Sequence, residues 1–320
     1  MNKNILAFRK SSSHQKTVKH SVTCSGIGTH TGLTSSLTLR PAPQNTGIIF
    51  IRTDLKTHPK IPALSTSILN GHYASKIGNS SLESVSTIEH LMATLSAFSI
   101  DNVFVDVDGP EIPIMDGSAL PFIDLLEKAG TVFQKASRKF LKICRPVEVQ
   151  ENGRIARLTP SSGFSIECDL TFRPEARFSD QHFFYTHTLE NFRTHIADAR
   201  TFGFFEDAQL LYQKGLALGA SLSNSVVFQN GKPMNEEGLR HADECVRHKV
   251  LDVLGDLMLT GYPIKGHFYG HSSGHALNHQ LILKLLKDST LWRIEEESTE
   301  RAKTSFSPVS HTQHVAFSPS

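Results

Sequence analysis

No apolar run in this chain approaches the roughly 18 residues that a membrane-crossing helix needs, so no transmembrane segment is expected. Near the N-terminus, Lys3, Arg9 and Lys10 flank Ile5-Leu6-Ala7-Phe8, which is too short for the core of a secretory signal. Cysteine is scarce: Cys24, Cys144, Cys168 and Cys245 stand apart, with neither metal-knuckle nor disulfide-scaffold spacing. That fits a reducing compartment, and a cytoplasmic protein is expected. Charge excess is missing as well. The net charge is +2, which gives no nucleic-acid footprint. None of Ser221, Ser223 or Ser225 sits in a Gly-x-Ser-x-Gly elbow. No Gly-x-Gly-x-x-Gly leads from a strand into a helix, which argues against a dinucleotide fold. What is present is ordinary for a globular protein, with 39% hydrophobic and 20% charged residues. A length of 320 residues predicts two domains.

The most informative stretch is Cys245-Val246-Arg247-His248-Lys249-Val250-Leu251-Asp252-Val253-Leu254-Gly255-Asp256-Leu257. It reads as one helix, from about 243 to 259. His248, Asp252 and Asp256 recur every four residues and so share a face. Val250, Leu251, Val253, Leu254 and Leu257 supply an apolar stripe. An imidazole and a carboxylate one turn apart can hold the same divalent ion, although such a row is most often just a solvated face. His-x-x-x-Asp also needs a third ligand from elsewhere.

Residues 1–15 are polar and Ser-rich and read as a loose arm. Strands follow, interrupted by Gly26-Ile27-Gly28-Thr29-His30-Thr31-Gly32, which precedes a strand rather than a helix. That order makes a phosphate cradle a weak reading. Residues 53–82 should be loops or a small extra sheet. Ser86 with Glu89 three residues on forms a capping box, which predicts a helix from Ser86. Glu89 could then serve only as a cap. It could equally face a cleft beside His90, the pairing that metal hydrolases use: one residue holds the ion and the other takes a proton from bound water. A helix over 121–129 ends the first half. Around 135–139 the chain is basic and polar, a plausible linker, after which strands and then helices recur. His267, His271, His275 and His279 also repeat every four residues, but Gly266, Gly270 and Gly274 forbid one helix through them. His267 is expected on a strand, His271 in a turn, and His275 and His279 at the start of a helix.

Several segments now form an ordered set. They are Ser25 to Gly32, Ser86 to Ala93, Gly109 to Ser118, Asp198-Ala199-Arg200-Thr201-Phe202-Gly203-Phe204, Val246 to Lys249, Asp252 with Asp256, and Ser273-Gly274-His275-Ala276-Leu277-Asn278. In that order they resemble the UDP-3-O-acyl-N-acetylglucosamine deacetylases, the zinc amidases of lipid A synthesis. The resemblance runs from about 15 to 291. It implies an α+β fold of two similar domains, each a β-sheet layered against helices and each with an insertion. Their bounds would be 15–137 and 138–291. The tail over 292–320 lies outside the resemblance and, being polar and rich in Ser and Glu, reads as disordered. The second insertion would form a passage for an acyl chain.

The resemblance also implies roles. Glu89 matches the general base. His90, His248 and Asp252 match the ligands of Zn2+. Thr201 matches the residue that helps hold the oxyanion, and His275 the electrostatic or acid residue that Asp256 orients. Lys249 and Phe202 match substrate-contacting positions. The implied substrate is a nucleotide-sugar lipid precursor, UDP-3-O-(3-hydroxyacyl)-N-acetylglucosamine, with acetate released; a monomer is expected, apart from the resemblance. Two His and one Asp leave a fourth position for water, as a catalytic zinc site requires. Opposite charge from Asp256 should raise His275. Glu89 or His275 would protonate the leaving amine. Two departures stand out: Thr29 where the family has Leu, and Arg173 where it has His, a change expected to touch the acyl passage. Two other readings use the same residues. Two His and one carboxylate also bind iron in oxygenases, although an adjacent Glu89 favours hydrolysis. A binding protein with a structural zinc would need a fourth ligand, for which His275 or His271 is available.

Overall fold

A computed structural model describes residues 13–296 except 70, 72 and 173–178. The fold is α+β. Its first large sheet has five strands in the order Val22–Ile27, Thr34–Pro41, Val103–Val107, Ile48–Arg52 and Lys60–Pro62. Only the pairing of Ile48–Arg52 with Val103–Val107 is parallel. The second sheet has seven strands centred on Ile264–His271, which pairs with Arg154–Thr159, Phe164–Leu170 and Lys139–Ile143. Burial along Ile264–His271 alternates residue by residue, so one face meets the core and the other is polar. Ile68–Leu69, Lys76–Gly78 and Ser84–Ser86 form a small three-stranded sheet.

Six helices lie among the described residues: α1 (Glu89–Ala97), α2 (Leu120–Ala129), α3 (Leu189–His195), α4 (Phe205–Gln213), α5 (Glu244–Leu257) and α6 (His275–Lys287). Helix α1 is buried at every position. Helix α5 is buried everywhere except Arg247 and Lys249. A helix apolar on one stripe normally shows its polar row to water. Here the row of His248, Asp252 and Asp256 is buried with the rest, at 2%, 4% and 0% exposure. It is therefore no solvated face. Among the described residues, no helix is long and apolar enough to cross a membrane.

Gly255 explains how α1 and α5 come so close. A Cβ there would run into the backbone of Glu89, meeting its carbonyl oxygen, carbonyl carbon and Cα. Gly normally weakens a helix interior by about 1 kcal/mol relative to Ala. Gly255→Ala is nevertheless expected to destabilise, because the obstacle is backbone and the helices must separate. Overpacking of this kind costs about 1–3 kcal/mol, and a thermal melt should show Tm lowered by several degrees. A Tm equal to or above that of the parent would show that the helix contact relaxes freely.

Three expectations need correction. The helix carrying Glu89 starts at Glu89, not at Ser86. Ser86 instead ends a strand, and its hydroxyl donates to the Pro110 carbonyl at 3.3 Å. The reason is Thr87, which takes φ +60° and breaks the helical path. The Thr87 hydroxyl is held at 2.7 Å by Glu111, so Glu89 is freed from capping. Second, the ordered chain does not stop at Leu291: Trp292–Glu296 adds an antiparallel strand beside Lys139–Ile143. Residues 297–320, and the Arg173 departure, lie outside the described residues. Third, His271 is the last residue of a strand rather than part of a turn, whereas His275 and His279 do open α6. Helix α3 was not anticipated. Its signal is Thr188, whose hydroxyl caps it by accepting from Asn191 N at 3.0 Å.

Candidate active site

Helices α1 and α5 bring His90, His248 and Asp252 together. One ligand atom from each lies within 4.8 Å of the others. His248 Nε2 is 3.4 Å and His90 Nε2 3.9 Å from Asp252 Oδ1. The two imidazoles stand edge to face, with centroids 4.9 Å apart. His248 Nδ1 donates to the Ala199 carbonyl at 3.0 Å, which leaves the Nε2 lone pair for a cation. His90 Nδ1 is buried with no hydrogen-bond partner among the described residues.

The charges suit a metal. Burial, reinforced by His248, pushes His90 down to about 3. Burial also lowers His248. Burial alone would raise Asp252, but Lys249, His248 and His275 outweigh it and hold that carboxyl well below the usual range. Two neutral imidazoles and an ionised carboxylate are the states in which these groups bind a cation. The residues present therefore fit a divalent ion with three protein ligands. Neither His271 nor His275 belongs to this group.

A second cluster adjoins the first. His275 Nδ1 contacts both oxygens of Asp256, at 2.9 and 3.0 Å, while its Nε2 lies 3.6 Å from Glu89 Oε1. Burial opposes charge on His275, yet Asp256, Glu89 and Asp252 lift it to about 10. Burial pushes the Glu89 carboxyl up to about 8, against the pull of His275. A carboxyl with raised affinity for protons beside a cationic imidazole is a combination suited to proton transfer.

At this point the relatives of the chain become decisive. Residues 15–287 match the family profile for UDP-3-O-acyl N-acetylglycosamine deacetylase. The curated UDP-3-O-acyl-N-acetylglucosamine deacetylase of Syntrophotalea carbinolica is 42% identical over 92% of this chain and 94% of its own. Those of Acidithiobacillus ferrooxidans and Neisseria meningitidis are 40% and 42% identical, over 91% and 88% of this chain and 96% and 93% of theirs. The chain belongs to this deacetylase family.

The remaining residues can be placed within the deacetylase family's frame. Lys249 Nζ bonds Asp252 Oδ2 at 2.6 Å and lies 5.4 Å from the Phe202 ring centroid. The Phe202 ring is in turn 6.4 Å from the His248 ring. Thr201 is held through its backbone, its N–H donating to the Gly117 carbonyl at 2.8 Å. Gly117 has φ +84°, and a Cβ on it would strike the Asn224 carbonyl. Only glycine fits that junction. The hydrogen bonds of Thr201 include none to the metal-binding trio, although Ala199, two residues earlier, holds His248.

Two buried residues bonded into this region escaped the sequence reading. Ser75 is 1% exposed. Its N–H donates to Glu89 Oε2 at 3.1 Å, and its hydroxyl meets Asp256 Oδ1 and, at 2.9 Å, His279 Nε2. One residue thus ties Glu89 to Asp256. Glu111 is also 1% exposed and gathers His30 N, Thr31 N and the hydroxyls of Thr31 and Thr87 on its carboxylate. It fixes the Gly-rich loop and the entry to α1 together. Ser75 lies in no motif. Glu111 lies within Gly109 to Ser118 but carried no periodic signal of its own.

Proposed function

We propose that this chain is a zinc-dependent hydrolase that removes the N-acetyl group of UDP-3-O-(3-hydroxyacyl)-N-acetylglucosamine and releases acetate. The observation that carries the reading is the His90, His248 and Asp252 trio set beside a Glu89–His275 contact of 3.6 Å. In this reading the trio holds zinc, which when bound acidifies a water and polarises the acetyl carbonyl. Glu89 takes the proton of the attacking water. Thr201 and cationic His275 stabilise the negative charge that develops on the carbonyl oxygen. As the C–N bond breaks, the sugar nitrogen receives a proton from Glu89 or His275, which face the same space. Asp256 keeps His275 charged and oriented. Lys249 and Phe202 contact the substrate beside Asp252.

We further propose two domains, 15–137 and 138–291, the second extended by the strand Trp292–Glu296. No strand pairing among the described residues crosses residue 138, which supports that boundary. Four free cysteines support a reducing, cytoplasmic setting, and we take the chain as a monomer.

The test is direct. Zinc-loaded protein is incubated with the substrate, and acetate and the free amino sugar are quantified. Equal amounts of both are expected. Neither product from a folded, zinc-loaded sample overturns the reading. Within it, Ser75→Ala should lower kcat by about tenfold or more, the equivalent of one hydrogen bond to a charged group. KM and zinc content should hold, and Ser75→Thr should restore the rate. A parallel change in KM and Tm without rescue would make Ser75 merely structural.

A further inference from the structure

A cavity of about 320 Å3 lies away from the metal-binding trio, at the C-terminal ends of α1 and α5. Ser96 and Ser99 reach it from the first half of the chain, and Leu254 and Leu257 from α5. Its volume is at the lower end of the range for small-molecule sites. Its lining is part apolar, with Phe140, Leu254, Leu257 and Met258, and part polar, with Arg138, Lys265, His187 and Ser162.

Arg138 is the unusual member. Its side chain is only 9% exposed. Nε donates to Asp101 Oδ1 at 2.8 Å, and that is the only hydrogen bond the guanidinium makes among the described residues. Nη1 and Nη2 have no partner there. A guanidinium carries five N–H donors, and Arg138 lines the cavity. The second oxygen of Asp101 accepts from Lys16 N at 2.9 Å and makes no bond to Nη1 or Nη2. The Phe140 ring packs against both cations, with Arg138 Cζ 5.3 Å and Lys265 Nζ 4.5 Å from its centroid. Lys265 also faces Glu295 at 3.6 Å. His187 adds no charge near neutral pH, since burial and then Arg138 push it down to about 4.

A ligand that engages Nη1 and Nη2 of Arg138 must supply an acceptor. The ends of α1 and α5 contribute partial negative charge, which opposes an anion. The forked donors of Arg138 nevertheless match a carboxylate or phosphate in a way no cation or apolar group can. We propose that this cavity is a second ligand site, for a small amphipathic anion. Its carboxylate or phosphate would sit on Arg138 Nη1 and Nη2, and its short apolar chain along Phe140, Leu254 and Leu257. The site is independent of the catalytic reading.

Octanoate is a suitable probe, titrated calorimetrically into the full zinc-loaded chain. One site is expected. Octanol, which lacks the charge, and acetate, which lacks the chain, should each bind at least about tenfold more weakly, as loss of a charge-assisted hydrogen bond or of buried CH2 groups implies. Arg138→Gln should weaken octanoate by a similar factor. Should that variant fail to fold, Ser162→Trp serves instead. Ser162 is exposed and lines the cavity, so a large ring there should abolish octanoate binding without touching the core. Octanol binding as tightly as octanoate would overturn the anion assignment. Unchanged octanoate binding by Ser162→Trp, or its loss on chelation of zinc, would place the ligand elsewhere and overturn the site.

Discussion

Glu89→Gln is expected to lower kcat by on the order of a hundredfold to ten-thousandfold, the range that a positioned general base contributes. The substitution keeps the size of the side chain and an oxygen able to accept from Ser75 N–H, a bond of 3.1 Å in the parent. What it removes is the capacity to take a proton. Glu89 is absent from the metal-binding trio, so zinc content should stay at that of the parent. KM should move little, because the lost interaction belongs to the transition state. Stability should not suffer either. Glu89 is 3% exposed, and burial works against its charged form. A neutral amide in its place removes that cost. The combination of a collapsed kcat, intact zinc and an unchanged melting temperature is what a base role requires. Near-parental turnover would remove Glu89 from the mechanism. Lost zinc would make it a ligand, directly or through His90.

How much of this was legible in the sequence depends on the range over which each signal acts. The four-residue spacing of His248, Asp252 and Asp256 is local, and α5 follows it. What periodicity could not supply was burial. The row is dry because α1 covers it, and α1 can do so because residue 255 is Gly. In the sequence that glycine is only a weak spot in a helix. The capping box at Ser86 failed for a related reason. Its residues and spacing are correct, but Glu111, 24 residues from Thr87, holds Thr87 in a conformation that no helix continues through. Trp292–Glu296 was missed because cross-strand charge, rather than an apolar run, marks it: Glu295 pairs with Lys142 and Glu296 with Lys139. Ser75 is the extreme case. Its partners Glu89, Asp256 and His279 stand 14, 181 and 204 residues away, and nothing near it announces any of them.

Chelation of the zinc-loaded protein is expected to abolish deacetylation while leaving a folded chain, and zinc return should restore the rate. The first half follows from the three-residue trio, which leaves a coordination position for water, as catalytic zinc sites do. The second half follows from the charges left behind. A buried carboxylate stripped of its cation would normally destabilise strongly. Asp252 is not stripped, because Lys249 Nζ remains 2.6 Å from its other oxygen. His90 and His248 are neutral once the ion has gone, since burial lowers both. Helices α1 and α5 also contribute Leu91, Met92, Leu95, Val250, Leu251 and Leu254 to one buried core, all at or near zero exposure. Chelation should therefore remove only the linkage term, about 2.7 kcal/mol for free zinc a hundredfold above its dissociation constant. That is a fall of some degrees in Tm, with unfolding still cooperative and far-ultraviolet dichroism unchanged. Loss of fold on chelation would make the ion structural and return the binding-protein reading. Full turnover without metal would dismiss the trio from the chemistry. Oxygen uptake by the chain loaded with ferrous iron would turn the same three ligands toward an oxygenase. Glu89 weighs against that outcome, because oxygen activation has no use for a base set 3.6 Å from a cationic imidazole.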